Sequence, residues 1–165
     1  MAFQSEVNIY RGVGQAGHPA SAAPIVAAAG GPGAFTVDST GVKIASFVFR
    51  TAVGSKVVTN VAPSATTLPV GFIQNLGQAT ILTGSSNSMS ITGGVEISPK
   101  VQGDFWSYSS TDATEGQKVF ASVLDGSIAT GAAGATVADH VETNWYVSHG
   151  ATAGDLIIIS TWSKN

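Results

Sequence analysis

The chain lacks cysteine and has few charged residues. The absence of cysteine excludes disulfides, thiolate metal sites and a cysteine nucleophile. Only 10% of the 165 residues are charged, against roughly 25% in typical globular proteins. Small and hydroxyl-bearing residues fill the gap. Because charge is depleted at the cores of protein interfaces, this composition indicates that neighbouring subunits cover part of the surface.

The few basic residues form no cluster in the sequence. The net charge is −3, and Lys and Arg together number seven. They stand far apart, at Arg11, Lys43, Arg50, Lys56, Lys100, Lys118 and Lys164. Nucleic-acid binding needs grouped contacts to phosphates, so no nucleic-acid partner is expected.

Signals for secretion and for membrane insertion are also missing. Residues Met1–Glu6 carry no basic region of the kind that opens a signal peptide. The apolar run Ala22–Ala29 is too short to span a bilayer and is interrupted by Pro24. The sequence therefore predicts a chain made in the cytoplasm of its host, with no membrane partner.

No window of 11 or more residues has a convincing helical period. Turn signals instead recur about every ten residues, which is typical of all-β proteins. The sequence predicts a small β-barrel or β-sandwich. Residues 1–33, which are rich in small residues and contain Pro19, Pro24 and Pro32, are predicted to form an extended N-terminal arm. Residues 34–165 are predicted to form a single all-β domain.

The segment Gly103–Ile128 is predicted to be the centre of this domain. It contains the aromatic group Phe105, Trp106 and Tyr108, followed by two strands around Asp125-Gly126. That dipeptide favours a two-residue type I′ turn, which needs positive φ at both positions.

Other segments show strand patterns of two kinds. Residues 42–49 are apolar on both faces, which predicts a central strand or a bend near Ala45. Residues 140–148 alternate, with Val141, Thr143, Trp145 and Val147 on one face, and residues 155–162 suit a buried final strand. Hairpins are predicted between 35–37 and 42–49, and around Gly93-Gly94. Short strands are predicted at 57–58, 70–73 and 80–82.

The sequence contains patterns that resemble catalytic or binding motifs but have simpler explanations. Gly12, Gly14 and Gly17 match the dinucleotide fingerprint G-x-G-x-x-G, but Pro19 and Pro24 interrupt the helix that this motif requires. The histidines, at positions 18, 140 and 149, lack metal-ligand spacing, and no G-x-S-x-G nucleophile elbow is present.

The acidic residues Asp104, Asp112 and Glu115 lack the regular spacing of a calcium loop. Trp106 and Tyr108 could stack on a sugar, although core packing is expected for at least one of them. No catalytic, cofactor-binding or metal-binding residue is predicted.

The order of several segments along the chain resembles a known family. These segments are the start Met-Ala-Phe-Gln with Gly17-His-Pro-Ala-Ser, then 69–73, 103–106, 116–121, 125–128, 141–145 and 154–160. Together they resemble the structural cement proteins of tailed phages, which are capsid decoration proteins of the Gp24-like family. The resemblance covers nearly the whole chain.

This resemblance implies a non-enzymatic virion protein on the outer surface of an assembled head. It implies binding to neighbouring subunits of the major capsid protein, which are clamped against the pressure of packaged DNA. It also implies a homotrimer at local three-fold positions. Two alternatives remain: a β-sandwich carbohydrate-binding module or adhesin, and a hydrolase whose Ser, His and Asp meet only in the folded chain.

Overall fold

The computed structural model describes residues 14–30, 34–77 and 89–162. These residues contain no helix, and therefore none that is long and apolar enough to cross a membrane. The predicted all-β fold is confirmed. The predicted strand at 80–82, the first part of the predicted arm, and Lys164 lie outside the described residues.

Fourteen strands are present in the described ranges. In chain order they are β1 (Val26–Ala27), β2 (Phe35–Val37), β3 (Val42–Lys43), β4 (Phe47–Arg50), β5 (Val57–Thr59), β6 (Gly71–Phe72), β7 (Ser90–Ile91), β8 (Glu96–Ile97), β9 (Lys100–Gln102), β10 (Asp104–Tyr108), β11 (Lys118–Ser122), β12 (Ile128–Gly131), β13 (His140–His149) and β14 (Leu156–Ser160).

The strands form two larger sheets and one small sheet. The seven-stranded sheet has the order β1-β9-β6-β4-β5-β2-β8, and the five-stranded sheet has the order β10-β14-β13-β11-β12. Strands β3 and β7 pair separately. All pairings are antiparallel except that of β2 with β5.

Strand β4 lies between two hydrophobic cores. Phe47 and Phe49 point into a core shared with the five-stranded sheet. Val48 points the opposite way, into a second core with Val42 and Ile44. The apolar residues of 42–49 therefore face two cores, and the chain bends near Ala45 as predicted. A single strand over 42–49 is wrong, because β3 and β4 are separate strands of different sheets.

The first core contains four packed aromatic rings. Phe47, Phe72, Phe105 and Trp145 are buried, with ring centroids 5.2–6.1 Å apart in tilted or edge-to-face arrangements. Such pairs contribute beyond the area they bury, because ring edges and faces carry opposite partial charges. The rings come from both sheets, so they hold the sandwich together.

The bend before β4 is stabilised by the buried amide of Asn60. Its Nδ2 donates to Ser46 Oγ and to the Phe47 carbonyl, both at 2.8 Å, and its Oδ1 accepts from the Lys43 amide at 2.7 Å. Ala45 has φ +59°, a left-handed conformation that is strained for residues with a Cβ. The Asn60 network holds this strained bend in place.

Both β-hairpins predicted in the first part of the domain are wrong. Strand β2 pairs with β5 and β8, whereas β3 pairs with β7. The residues around Gly93-Gly94 do not pair with each other, because β7 and β8 belong to different sheets. The strands and turns were recognisable locally, but pairing depends on which cores the strands bury.

The predicted hairpin of β11 and β12 is confirmed, with a different turn. Ala121 lies opposite Ile128. The Ser122 amide donates to the Ser127 carbonyl, and the four residues between them form the turn. Only Gly126 of the Asp-Gly pair has positive φ, at +70°, so this is not a type I′ turn. A Cβ on Gly126 would lie 2.1 Å from the Phe47 carbonyl oxygen. Glycine is therefore required where the turn contacts β4.

The turn also carries an acidic side chain with a lowered pKa. Burial alone would raise the pKa of Asp125, but hydrogen bonds from Ser127 and Ser122 and the charge of Lys43 lower it to about 2. The Lys43 Nζ lies 3.3 Å from Asp125 Oδ2. The ionised form therefore stabilises the folded state above the ordinary pKa of 3.8, and this contribution is lost as the pH falls towards 2.

We expect Asp125→Asn to remove this pH-dependent contribution. The Asp125 side chain is 44% exposed, so solvent screening reduces the contribution to about 1 kcal/mol. Urea unfolding at pH 7, 4 and 2 should show a smaller loss of stability on acidification in the variant than in the wild type. Identical pH profiles for the two proteins would contradict the assignment.

Candidate interaction surfaces

The three histidines occupy three separate places. His18 is exposed, and His140 Nδ1 lies 2.6 Å from the Ala138 carbonyl oxygen. His149 Nδ1 lies 3.8 Å from Glu115 Oε1 at an exposed position. No group of three potential metal ligands occurs within the ranges 14–30, 34–77 and 89–162.

The three acidic residues of the central segment also have separate partners. Asp104 Oδ2 accepts from Ser21 Oγ at 2.5 Å. Asp112 Oδ1 accepts from the Ala153 amide at 2.9 Å, and Glu115 faces His149. They act as turn and contact residues and do not converge on one point.

The glycine-rich N-terminal stretch does not lead into a helix. Gly14 lies against the Trp106 indole, and Gly17, with φ +82°, precedes an extended segment that follows the outer edge of β10. The Gly17 amide donates to the Trp106 carbonyl at 2.7 Å, and the Ala20 amide donates to the Asp104 carbonyl at 2.9 Å. This geometry has no helix N-terminus that would bind a pyrophosphate.

The expectation that Trp106 or Tyr108 packs in the core is wrong. In β10, successive side chains point to opposite faces, and Phe105 is the residue that enters the aromatic core. Trp106 is half-buried on the outer face, and Tyr108 is 56% exposed. The core tryptophan is Trp145, on the face of β13 that the alternation predicted.

An apolar groove opens on the side of the seven-stranded sheet. It has a volume of about 580 Å³. Its walls come from the end of β1, the loop after β4 and the loop before β6, and include Ala28, Ala29, Ala52, Val53, Leu68 and Val70. A smaller hollow of about 180 Å³ shares Leu68 and Val70 and continues to Trp145 on β13. We call these two connected hollows the apolar groove.

The rim of the apolar groove exposes large hydrophobic side chains. Val53 is fully exposed, and Leu68 is 68% exposed. Among the described residues that line the larger hollow, Arg50 alone is charged. Its guanidinium donates to the Ser55 carbonyl and lies 4.8 Å from the centre of the Phe35 ring. Exposed apolar surface with its charge already engaged is typical of a protein-binding surface.

The sequence matches a family of phage head proteins over almost its whole length. The model of the XM1 gp53 minor capsid protein family matches residues 3–161. The chain belongs to this family. Its place among phage capsid-associated proteins agrees with the resemblance seen in the sequence, although the matching family carries a different name.

A solved phage capsid structure contains a chain with a similar fold. A chain in the capsid of Myoviridae phage XM1 is 20% identical, with a TM-score of 0.60 and coverage of 98% of each chain. The N base of head fiber gp8.5 of bacteriophage phi29 is 11% identical, with a TM-score of 0.42, covering 78% of this chain and 94% of that one. No curated protein sequence matches this minor capsid family member significantly.

Sequence reasoning missed the apolar groove, because its walls are loops. The sequence of residues 53–56 favours a turn, and that of residues 63–69, which contains Pro63 and Pro69, favours a loop. The available signal was the presence of Val53 and Leu68 in these polar, proline-containing segments. Hydrophobic side chains in short loops have no core to enter, which indicates exposure.

Proposed function

We propose that this protein decorates the outer surface of an assembled phage head and clamps neighbouring subunits of the major capsid protein. The observation that carries the proposal is the match of residues 3–161 to a minor capsid protein family. That family membership supports a capsid-associated structural role in the virion. The outer location and the clamping action are the added steps.

The apolar groove is the proposed contact surface for the capsid. Its rim residues Val53 and Leu68 can bury apolar area against a partner. The charged side chains that line it, Arg50 and Glu142, already have backbone partners within the chain, at Ser55 and Gly134. Two ion pairs of the described residues, Lys43–Asp125 and His149–Glu115, are largely exposed. Hydrophobic contact and shape, with little contribution from charge, would therefore determine binding.

We further propose that the protein acts as a homotrimer and has no enzymatic activity. Joining three weak capsid contacts in one particle makes the second and third contacts intramolecular. Such linkage typically strengthens binding by about 10²–10⁴ without new contacts. A trimer would thus resist separation of capsid subunits even if each groove bound weakly.

The division of the chain into an arm, residues 1–33, and a body, residues 34–165, is part of the same proposal. Residues 14–30 contribute only one apolar side chain, Ala16, to the buried set, and their strand β1 is added at the edge of the seven-stranded sheet next to β9. The arm would add contact to the capsid or to a sister subunit, and the body would fold around its own two cores.

The glycan-binding alternative has little support from the geometry. Tyr108 is exposed, but Gly14 covers the Trp106 indole so closely that an added Cβ would lie 2.2 Å from the ring. The two rings therefore do not form an open stacking platform.

Co-sedimentation with undecorated heads tests the proposed function. The purified protein should pellet with heads at saturating stoichiometry and should raise the temperature at which packaged DNA is released. Light scattering of the free protein should give three times the chain mass. A protein that leaves heads unbound, or that binds them without changing their stability, would contradict the clamp.

A further inference from the structure

The outer edge of β10 is covered by the chain's own N-terminal segment. Strand β10 is an edge strand of the five-stranded sheet, with β14 on its inner side. Residues Gly14–Ser21, which we call the strap, run antiparallel along its outer side, with Pro19 opposite Phe105. Without the strap, the outward-facing backbone groups of β10 would be unpaired, which makes an edge prone to association.

Backbone hydrogen bonds, with few side-chain contacts, hold the strap in place. The amides of Gly17 and Ala20 donate to β10, and the Trp106 amide donates to the His18 carbonyl at 3.0 Å. Ser21 adds one bond to Asp104. Segments with few buried apolar contacts open locally at lower free energy than the body.

Pro19 makes the strap a poor template for a further strand. The bonds on either side of it, from Trp106 to His18 and from Ala20 to Asp104, show that Pro19 occupies a position whose nitrogen faces away from β10. Proline has no N–H to offer there, and prolines are a known means of blocking edge pairing.

The other edge of this sheet is covered differently. Strand β12 forms hydrogen bonds with the 109–112 segment. The Ser110 amide donates to the Ile128 carbonyl, and the Thr130 amide donates to Thr111 Oγ1 at 2.8 Å. That segment lies between two strands of the sheet itself. The strap, in contrast, is not part of the five-stranded sheet. Its release would break its bonds to β10 and the 2.8 Å bond from the Asn75 amide to the Gly17 carbonyl, while the pairs among the five strands would remain.

We propose that the strap is a removable guard of the β10 edge. In place, it ends the five-stranded sheet and prevents association through it. Released, it leaves the edge open to strand pairing with β10 of a second copy. The proposal goes beyond the capsid function and does not depend on it, because the test uses the purified protein alone.

Amide exchange followed by NMR tests whether the strap opens locally. The amides of Gly17, Ala20 and Trp106 should exchange about a hundredfold or more faster than those of β13, and their rates should be insensitive to low urea concentrations. Exchange as slow as that of β13, with the same urea dependence, would overturn the removable strap.

Gly14→Val tests what the open edge does. A side chain at this position would collide with the Trp106 ring, so the strap should open while β13 and β14 keep their protection. The mass from light scattering should then rise with concentration beyond the wild-type assembly. Ala22→Val is the control, because it also introduces a valine, at an exposed position directly after the strap. Combining Gly14→Val with Trp106→Ala makes room for the valine and should restore the wild-type mass.

Pro19→Ala provides a second variant that leaves the strap closed. It supplies an outward N–H, so concentration-dependent association should increase without faster exchange at Trp106. If Gly14→Val opens the strap and the mass stays at the wild-type value at all concentrations, the guard role is wrong.

Discussion

Replacing Trp145 by alanine should lower the free energy of unfolding by about 3–5 kcal/mol. Trp145 is 3% exposed, and the centroid of its ring lies 5.9–6.1 Å from those of Phe47, Phe72 and Phe105. The substitution removes buried aromatic area and leaves a cavity between two sheets that cannot close up fully. Urea unfolding followed by far-UV circular dichroism measures the loss.

Trp106→Ala is the matched control for this prediction. The same atoms are removed from a half-buried ring that lies outside both cores. A loss of about 1–2 kcal/mol is expected, since only part of the side-chain area is withdrawn from water. Equal losses for the two variants would show that the aromatic cluster does not hold the sheets together.

The strands near the end of the chain could be predicted well from the sequence. Along β13, the alternation of Val141, Thr143, Trp145 and Val147 matches the buried face of the sheet. This works because side chains alternate with a period of two and one face is solvated. Applied to β10, the same rule correctly places Phe105 and Trp106 on opposite faces. The wrong prediction for Trp106 rests on the tendency of aromatic side chains to be buried.

Strand pairing could not be predicted, because it depends on contacts between distant segments. The local turn signals at 38–41 and at Gly93-Gly94 favoured hairpins, yet β2 and β8 pair with each other, as do β3 and β7. Each of these pairs closes a long loop, so its stability comes from filling the second core and owes little to the turn. The apolar groove was missed for a related reason, since several segments that are separated in the sequence form its walls.

Leu68→Asp should reduce attachment to heads by more than about tenfold while leaving the body folded. Leu68 is 68% exposed on the rim of the apolar groove, so the substitution leaves both cores unchanged. On binding, however, the new carboxylate would have to be buried against an apolar partner without a counter-charge, which is strongly unfavourable. In a trimer the penalty applies at all three contacts, so the linkage that strengthens binding also multiplies the loss.

Leu124→Asp provides the control, because Leu124 is 61% exposed and lines neither hollow of the groove. Both variants introduce the same charge at similarly exposed leucines, so a general effect of charge on head binding would weaken them equally. Co-sedimentation across a range of protein concentrations, with unfolding curves for each variant, separates binding from stability. Unchanged attachment of the Leu68 variant would move the capsid contact away from the groove, because Leu68 lines both of its hollows. A loss restricted to Leu68 would instead identify the loops at 52–54 and 63–70 as the part of the chain that holds the head.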